Sequence, residues 1–468
     1  MKPGTADHPL RVAIVGAGPA GFYAADHLLR QTGVVVDVDV FDRLPTPFGL
    51  VRAGVAPDHQ KIKSVTATFG KIASHPRFRF FGGVELGRDV SVDDLRAHYH
   101  AIVLTTGAQT DRRMGIPGED LAGSHAATEF VAWYNGHPDY CDRRFDLSQE
   151  RVAIVGVGNV AVDVARILCR SPEELAVTDV ADYALEALAK SRVRDVYLLG
   201  RRGPAQAAFT NPEVRELGEL PAADIVVKPE EVELDPATRA ELEAHPDRAT
   251  RKKVEILQEF ARRPLTGKPR RLHLRFLVSP VEILGDAGGR VVGMRLVRNV
   301  LQPSLGGGLQ AKPTDQFEEL PVGLVFRSVG YRGVALAGVP FDDRAGVIPN
   351  DKGRVIDPAT GRPVPGLYAA GWIKRGATGV IGTNKPDAVE TVTCLLEDAG
   401  RGALPTPLVA DDQAVARLVS ERQPAVVSYQ EWLKLDELET SRGRACGRPR
   451  VKFTRIADML GALGREAK

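Results

Sequence analysis

Paired cysteines are missing from this chain. Its four cysteines, Cys141, Cys169, Cys394 and Cys446, are widely spaced and form no C-x-x-C. That excludes a vicinal redox-active dithiol and a multi-cysteine metal centre, and no metal site is expected. Long apolar runs are missing too, and none approaches the ~18 residues of a transmembrane helix. Neither sign of charge dominates: 62 Lys and Arg stand against 60 Asp and Glu, for a net charge of +2. No global field therefore points to nucleic acid or a membrane surface. The residues before Arg11 include Asp7, His8 and Pro9 and carry no signal-peptide or transit-peptide pattern. With so few cysteines, a cytoplasmic protein is expected. No Ser–His–Asp or paired-carboxylate arrangement stands out either.

What is present is glycine in a particular order. An apolar run, Val12 to Val15, leads into Gly16-Ala17-Gly18-Pro19-Ala20-Gly21, then a helical segment over Phe22 to Leu29. A second β-rich run, Val34 to Phe41, ends at Asp42. Strand, glycine turn, helix, strand and acid make up the dinucleotide-binding fingerprint in its proper context. Gly16 permits the tight turn, Gly18 lets a pyrophosphate approach the backbone, and Gly21 lets the helix sit close to the sheet. The helix start offers unpaired N–H groups to phosphate. Asp42 can accept hydrogen bonds from a ribose diol.

The design recurs once. Arg151 to Val155 is a strand, Gly156-Val157-Gly158-Asn159-Val160-Ala161 the turn, and Val162 to Cys169 the helix. The next strand, Val193 to Leu199, ends at Gly200-Arg201-Arg202, where the first copy has its acid. A carboxylate there repels a 2′-phosphate, whereas two guanidinium forks match one. The first turn is thus expected to take FAD or NAD, and the second NADP(H).

Between Gly218 and Pro321 the pattern weakens. Strands are expected at Leu272 to Val278, Val281 to Leu284 and Val291 to Val297, and a loop at Gly306-Gly307-Gly308. Arg251-Lys252-Lys253, Arg262-Arg263 and Arg270-Arg271 are basic clusters: solvated faces singly, or together a docking face for an acidic protein. Earlier, Lys61 to Ala73 reads as one helix and Val84 to Leu86 as a strand. Ser171-Pro172-Glu173-Glu174 reads as a capped helix start. Further on, Gly366 to Ala370 is a buried strand. A glycine-rich loop through Trp372 and Gly379-Val380-Ile381 leads into a helix from about Lys385 to Leu396. That loop suits the far end of a flavin. Val427 to Leu460, with Trp432 and several charges, is expected to pack onto the surface as loops and helix.

Several segments together resemble one family. They are Val15-Gly16-Ala17-Gly18-Pro19-Ala20-Gly21, Pro47-Phe48-Gly49-Leu50-Val51-Arg52, Gly54-Val55-Ala56-Pro57-Asp58-His59, the run Gly158 to Arg166, Gly200 to Pro204, Ala370 to Gly376 and Thr378 to Ile381. The chain resembles the adrenodoxin-reductase-like ferredoxin–NADP+ reductases along nearly its whole length. The resemblance implies an α/β fold of two Rossmann-like dinucleotide-binding domains, the NADP domain (110–337) inserted into a discontinuous FAD domain (1–109 and 338–468). It implies FAD-mediated electron transfer between NADPH and a ferredoxin-type iron–sulfur protein. Ala20, Asp42, Leu50 and Leu86 would contact the AMP part and pyrophosphate of FAD, and Trp372, Gly379, Val380 and Ile381 its flavin end. Gly156, Val157, Gly158 and Asn159 would receive the NADP pyrophosphate, Arg201 and Arg202 its 2′-phosphate, and Glu213 and the Gly379 backbone its nicotinamide end. His59 and Asp163 match polar positions near the flavin. Asp42 departs from the family's commoner Glu. Pro212 is expected to push Asn211 into an extended conformation. The alternatives are another NADPH-dependent flavoenzyme, such as a monooxygenase or an electron-input subunit, and a non-catalytic FAD/NADP redox sensor.

Overall fold

In a computed structural model, the structure describes residues 3–304 and 308–465. Gly306 and Gly307 of the expected loop lie outside them. The chain divides into two compact units, one of residues 1–55, 59–110 and 330–468, the other of residues 56–58 and 111–329.

The first unit is built on a seven-stranded sheet. Five strands run parallel in the order Pro363–Ala369, Ala101–Leu104, Leu10–Val15, Val36–Asp42 and Phe78–Gly82. Apart from Arg11, the central strand Leu10–Val15 is apolar because both of its faces are buried. Val12 and Ile14 join Phe22, Leu28, Phe48, Phe69 and Trp432 on one face. Ala13 and Val15 join Phe41, Phe81, Tyr99 and Ile102 on the other. Helices Pro19–Leu29 and Asn384–Gly400 pack together on this unit.

The second unit has a six-stranded parallel sheet in the order Ser124–Ala126, Leu324–Arg327, Arg151–Val155, Asp195–Leu199, Arg270–Arg275 and Ala223–Val227. A three-stranded antiparallel sheet, Val278–Gly285, Val291–Pro303 and Leu309–Leu320, adjoins it within the unit. The helix Pro172–Ala176 starts with the expected capping box, Ser171 and Glu174 bonding each other's backbone.

Some local expectations fail. The segment Lys61 to Ala73 is two helices, Gln60–Lys63 and Thr66–Ala73. Val84 to Leu86 is no strand, and Leu86 makes only an isolated bridge to Val90. Asn211 is the first residue of helix Asn211–Leu217, and the extended residue is Thr210 before it. Pro212 therefore sits in the first turn, where its missing N–H costs nothing. The C-terminal part is loops and helices as expected but reaches deeper than the surface, because Trp432 is 1% exposed and belongs to the first unit's core.

Each unit holds a histidine that folding keeps neutral. His100 in the first is lowered to about 4 by burial and by Arg11, although its Nδ1 accepts the Arg11 amide at 3.1 Å. His125 in the second is lowered to about 4 by burial and by Arg327 and Arg143, with its ring 4.9 Å from that of Phe145. Below the ordinary value of 6.5 the unfolded chain takes protons that the fold refuses. These groups leave stability intact above pH 6.5 and erode it as pH falls toward 4. Urea unfolding should show that slope, and the double variant H100Q/H125F should flatten it.

Candidate dinucleotide sites

The two glycine turns share one backbone solution. Gly16 has φ +111° and donates its N–H to the Phe41 carbonyl at 2.7 Å. Gly156 has φ +129° and donates to the Leu199 carbonyl at 2.9 Å. A Cβ on Gly16 would lie 2.6 Å from the Thr105 carbonyl oxygen, and one on Gly156 would lie 2.2 Å from that of Ser328. Both positions therefore demand glycine for conformation and for space. The second glycines differ in kind. Gly18 and Gly158 are the extended N-caps of helices Pro19–Leu29 and Asn159–Cys169. Neither makes a side-chain cap, and a Cβ on either would meet nothing within 4 Å. Each helix start thus faces open space with its N–H groups uncapped, which suits an incoming pyrophosphate.

The third position explains a sequence difference. A Cβ on Gly21 would lie 2.2 Å from the Gly16 carbonyl oxygen. Ala161 stands at that place in the second turn, and its methyl is fully buried in the core.

Asp42 is committed to its own turn. One carboxylate oxygen accepts from the Ala17 N–H at 2.8 Å, the other from the Leu44 N–H at 2.9 Å. Burial pushes its carboxyl up, against those two bonds and the charge of Arg43. It ties the glycine turn to the end of the neighbouring strand, with one further lone pair on each oxygen for a ligand.

Arg201 and Arg202 differ in this respect. Among the described residues neither enters an ion pair. They line a cavity of about 270 Å³ together with Leu309, Gln310 and Ala311. Burial and the neighbouring Arg201 outweigh Glu241 and hold Arg202 below the usual arginine range. Two cations crowded beside a cavity without an acid between them form a site for an anion.

Around the first turn the structure assembles further predicted residues. The Phe48 N–H donates to the Ala17 carbonyl at 2.8 Å. A Cβ on Gly49 would come within 2.9 Å of the Gly18 Cα, so the segment leading into Leu50 lies against the turn. Gly371, φ +79°, abuts Ala20, with an added Cβ 2.6 Å from the Ala20 methyl. The Trp372 indole N–H donates to the Thr378 carbonyl at 3.0 Å, and its ring lies parallel to Tyr331 at 6.3 Å. Gly379, φ +79°, and Val380 are exposed and precede helix Asn384–Gly400. Leu86 bridges to Val90 and packs against the core cluster that holds Val15 and Phe41.

Comparison with known proteins gives the family and the fold. Residues 10–198 match a family described as pyridine nucleotide-disulphide oxidoreductase. A probable ferredoxin/ferredoxin–NADP reductase of Mycobacterium tuberculosis is 49% identical over 464 residues, covering 97% of this chain and 76% of that protein. The mitochondrial NADPH:adrenodoxin oxidoreductase of Arabidopsis thaliana is 43% identical over 465 residues, covering 97% and 95%. The solved structure of Mycobacterium tuberculosis FprA in complex with NADPH matches with a TM-score of 0.91 at 46% identity, covering 98% of this chain and 100% of that one. The chain belongs to the adrenodoxin-reductase-like ferredoxin–NADP reductase family. It is an oxidoreductase of the two-domain pyridine-nucleotide type.

Sequence reasoning missed how this reductase uses some of its acids. Asp163 and Glu213 both bind Arg166, at 2.7 Å and 3.4 Å. Arg166 is fully buried, and Asp58 engages it at 2.6 Å. Burial opposes its charge, but Asp163, Asp58 and Glu213 outweigh burial and raise its pKa. An acid three residues before an arginine on a helix was the available signal. Asp387, also missed, accepts the Gly371 N–H and pairs with Lys374 at 3.1 Å and Arg375 at 3.2 Å. His59 is half-buried just ahead of helix Gln60–Lys63.

The basic clusters are partly neutralised. Lys252 pairs with Glu255, Arg263 with Glu259 and Arg271 with Asp195. Exposed Arg251 and Arg262 donate to the carbonyls of Leu242 and Gln258, which leave their charge uncancelled. No helix among the described residues is long and apolar enough to cross a membrane.

Proposed function

We propose that this chain is an NADPH-dependent ferredoxin reductase of the cytoplasm that uses FAD to pass electrons from NADPH to an iron–sulfur protein. One observation carries the reading. The same backbone turn occurs twice, once beside an acid and once followed by two arginines that line a cavity. Residues 1–109 and 338–468 take FAD in this reading, and residues 110–337 take NADP. Open space at Gly18 and the uncapped helix start fit the FAD pyrophosphate, with Gly16, Ala20, Gly21, Asp42, Leu50 and Leu86 around the AMP part. The loop of Trp372 and Gly379 to Ile381 takes the flavin end. Gly156, Val157, Gly158 and Asn159 take the NADP pyrophosphate, Arg201 and Arg202 its 2′-phosphate, and Glu213 its nicotinamide nucleotide.

Bound FAD supplies two-electron uptake from nicotinamide and one-electron delivery to a metal cluster, which no side chain offers. The chain's residues bind and orient. Gly16 and Gly156 shape the turns, and the uncapped N–H groups receive the phosphates. Asp42 fixes the first turn to its strand. His59 and Asp163 are assigned to proton balance near the flavin, and Arg166 holds Asp163 in place.

The partner is an acidic ferredoxin-type protein docked on a basic face that includes Arg251 and Arg262. Ferredoxin-dependent reduction of cytochrome c by the FAD-loaded protein tests this. Turnover should fall as salt is raised past ~0.1 M, while flavin reduction by NADPH changes less. Salt-insensitive turnover would remove the electrostatic docking face. Flavin reduction with no ferredoxin-dependent turnover would favour a monooxygenase, an electron-input subunit or a sensor.

A further inference from the structure

The helix Tyr429–Ala445, near the end of the chain, is linked to the first glycine turn by continuous contacts inside the first unit. Glu439 is fully buried, with its carboxylate accepting from two nitrogens of Arg52 at 2.7 Å and 2.5 Å. It also accepts from Arg450 at 3.0 Å and from the Phe453 N–H at 2.8 Å. Burial opposes its charge, but Arg52 and Arg450 outweigh burial and hold the carboxyl below its usual range.

Arg52 passes this anchoring onward. Its guanidinium lies 5.0 Å from the Trp432 ring centre, and that ring meets Phe48 edge-on at 5.9 Å. Phe48 has φ +83°, a conformation that a bulky residue holds only when its surroundings impose it. From there its N–H reaches the Ala17 carbonyl, and Gly49 sits against Gly18. The strained segment pressing on the pyrophosphate turn is therefore held in place from the far end of the chain.

We infer that Glu439 is a positioning residue for FAD: it fixes Arg52, and through Trp432 and Phe48 it keeps the Gly18 turn in its ligand-holding form. This rests on the reading that the first turn holds FAD. Removing the anchor loosens the Phe48–Ala53 segment, so flavin is lost faster while the second unit is untouched.

The test is the rate of FAD release from the full-length protein, followed by recovery of free-flavin fluorescence. E439Q should release FAD about tenfold faster or more, as expected for loss of a buried charge-assisted pair. Affinity for 2′,5′-ADP should not change. The control V419A removes buried methyl groups elsewhere in the same unit. It should lower thermal stability without speeding release, whereas a merely structural role for Glu439 predicts equal release at equal loss of stability. Hydrogen exchange in the FAD-free protein should rise at Phe48–Ala53 in E439Q and not in V419A. If E439Q does not accumulate, W432F decides, with release expected to be about threefold faster. Release at the wild-type rate in the variants overturns the inference alone. A wild-type protein that takes up no FAD overturns the reading of the first turn, and the inference with it.

Discussion

Replacing Arg201 and Arg202 with alanine should weaken NADPH binding about a hundredfold or more and leave NADH nearly unchanged. Each guanidinium can give a phosphate charge-assisted hydrogen bonds worth roughly 1.5–3 kcal/mol. Among the described residues neither arginine has an ion-pair partner to lose, so the fold should not suffer. The change relieves crowding instead, because Arg201 helps hold Arg202 below its usual range. The measurement is the Michaelis constant for both nucleotides, with Tm alongside. Equal losses for NADPH and NADH would contradict the 2′-phosphate assignment. Single variants should retain part of the preference, since one fork can still reach the phosphate.

Replacing Arg166 with alanine should have the largest effect on stability. Its guanidinium is fully buried against Asp58, Asp163 and Glu213, whose side chains are 5%, 13% and 12% exposed. Its removal takes the shared cation from Asp163 and Glu213 and leaves Asp58 with Arg170 at 2.8 Å, at a cost of about 3–5 kcal/mol. Without the cation, burial and mutual repulsion disfavour the charged forms of these acids. The fold then favours the protonated acids, and the deficit relative to wild type should shrink as pH falls from 7 toward 5. Urea unfolding of both proteins at the two pH values checks this. A deficit that stays constant or grows toward pH 5 would show that Arg166 does not neutralise those acids.

Much of the fold was legible because it is local. The strand–turn–helix order around Gly16 and Gly156 follows from glycine, apolar runs and helix periodicity close together in sequence. The contrast of Asp42 with Arg201-Arg202 was legible by comparing the chain with itself. What was not legible depends on distant residues. Nothing near Asp42 announces that its carboxylate is taken up by Ala17 and Leu44. Asp163 is expected near the flavin and Glu213 at the nicotinamide nucleotide, and nothing in sequence shows that both pair with Arg166, which Asp58 reaches from far earlier in the chain. Trp432 sits on a helix that carries many charges, yet one of those charges, Glu439, turns inward and pairs with both Arg52 and Arg450 in the interior. Lys61 to Ala73 breaks in two because Ser64 and Val65 end one short helix before the next begins.

One backbone turn, used twice with opposite side chains, is proposed to seat FAD first and NADPH second. An anaerobic titration of the FAD-loaded protein tests it most directly. NADPH should bleach the flavin band near about 450 nm in proportion to the amount added, and NADH should need a far higher concentration. A protein that cannot be loaded with FAD, or whose flavin band NADPH leaves unchanged, would rule out that assignment of the two turns.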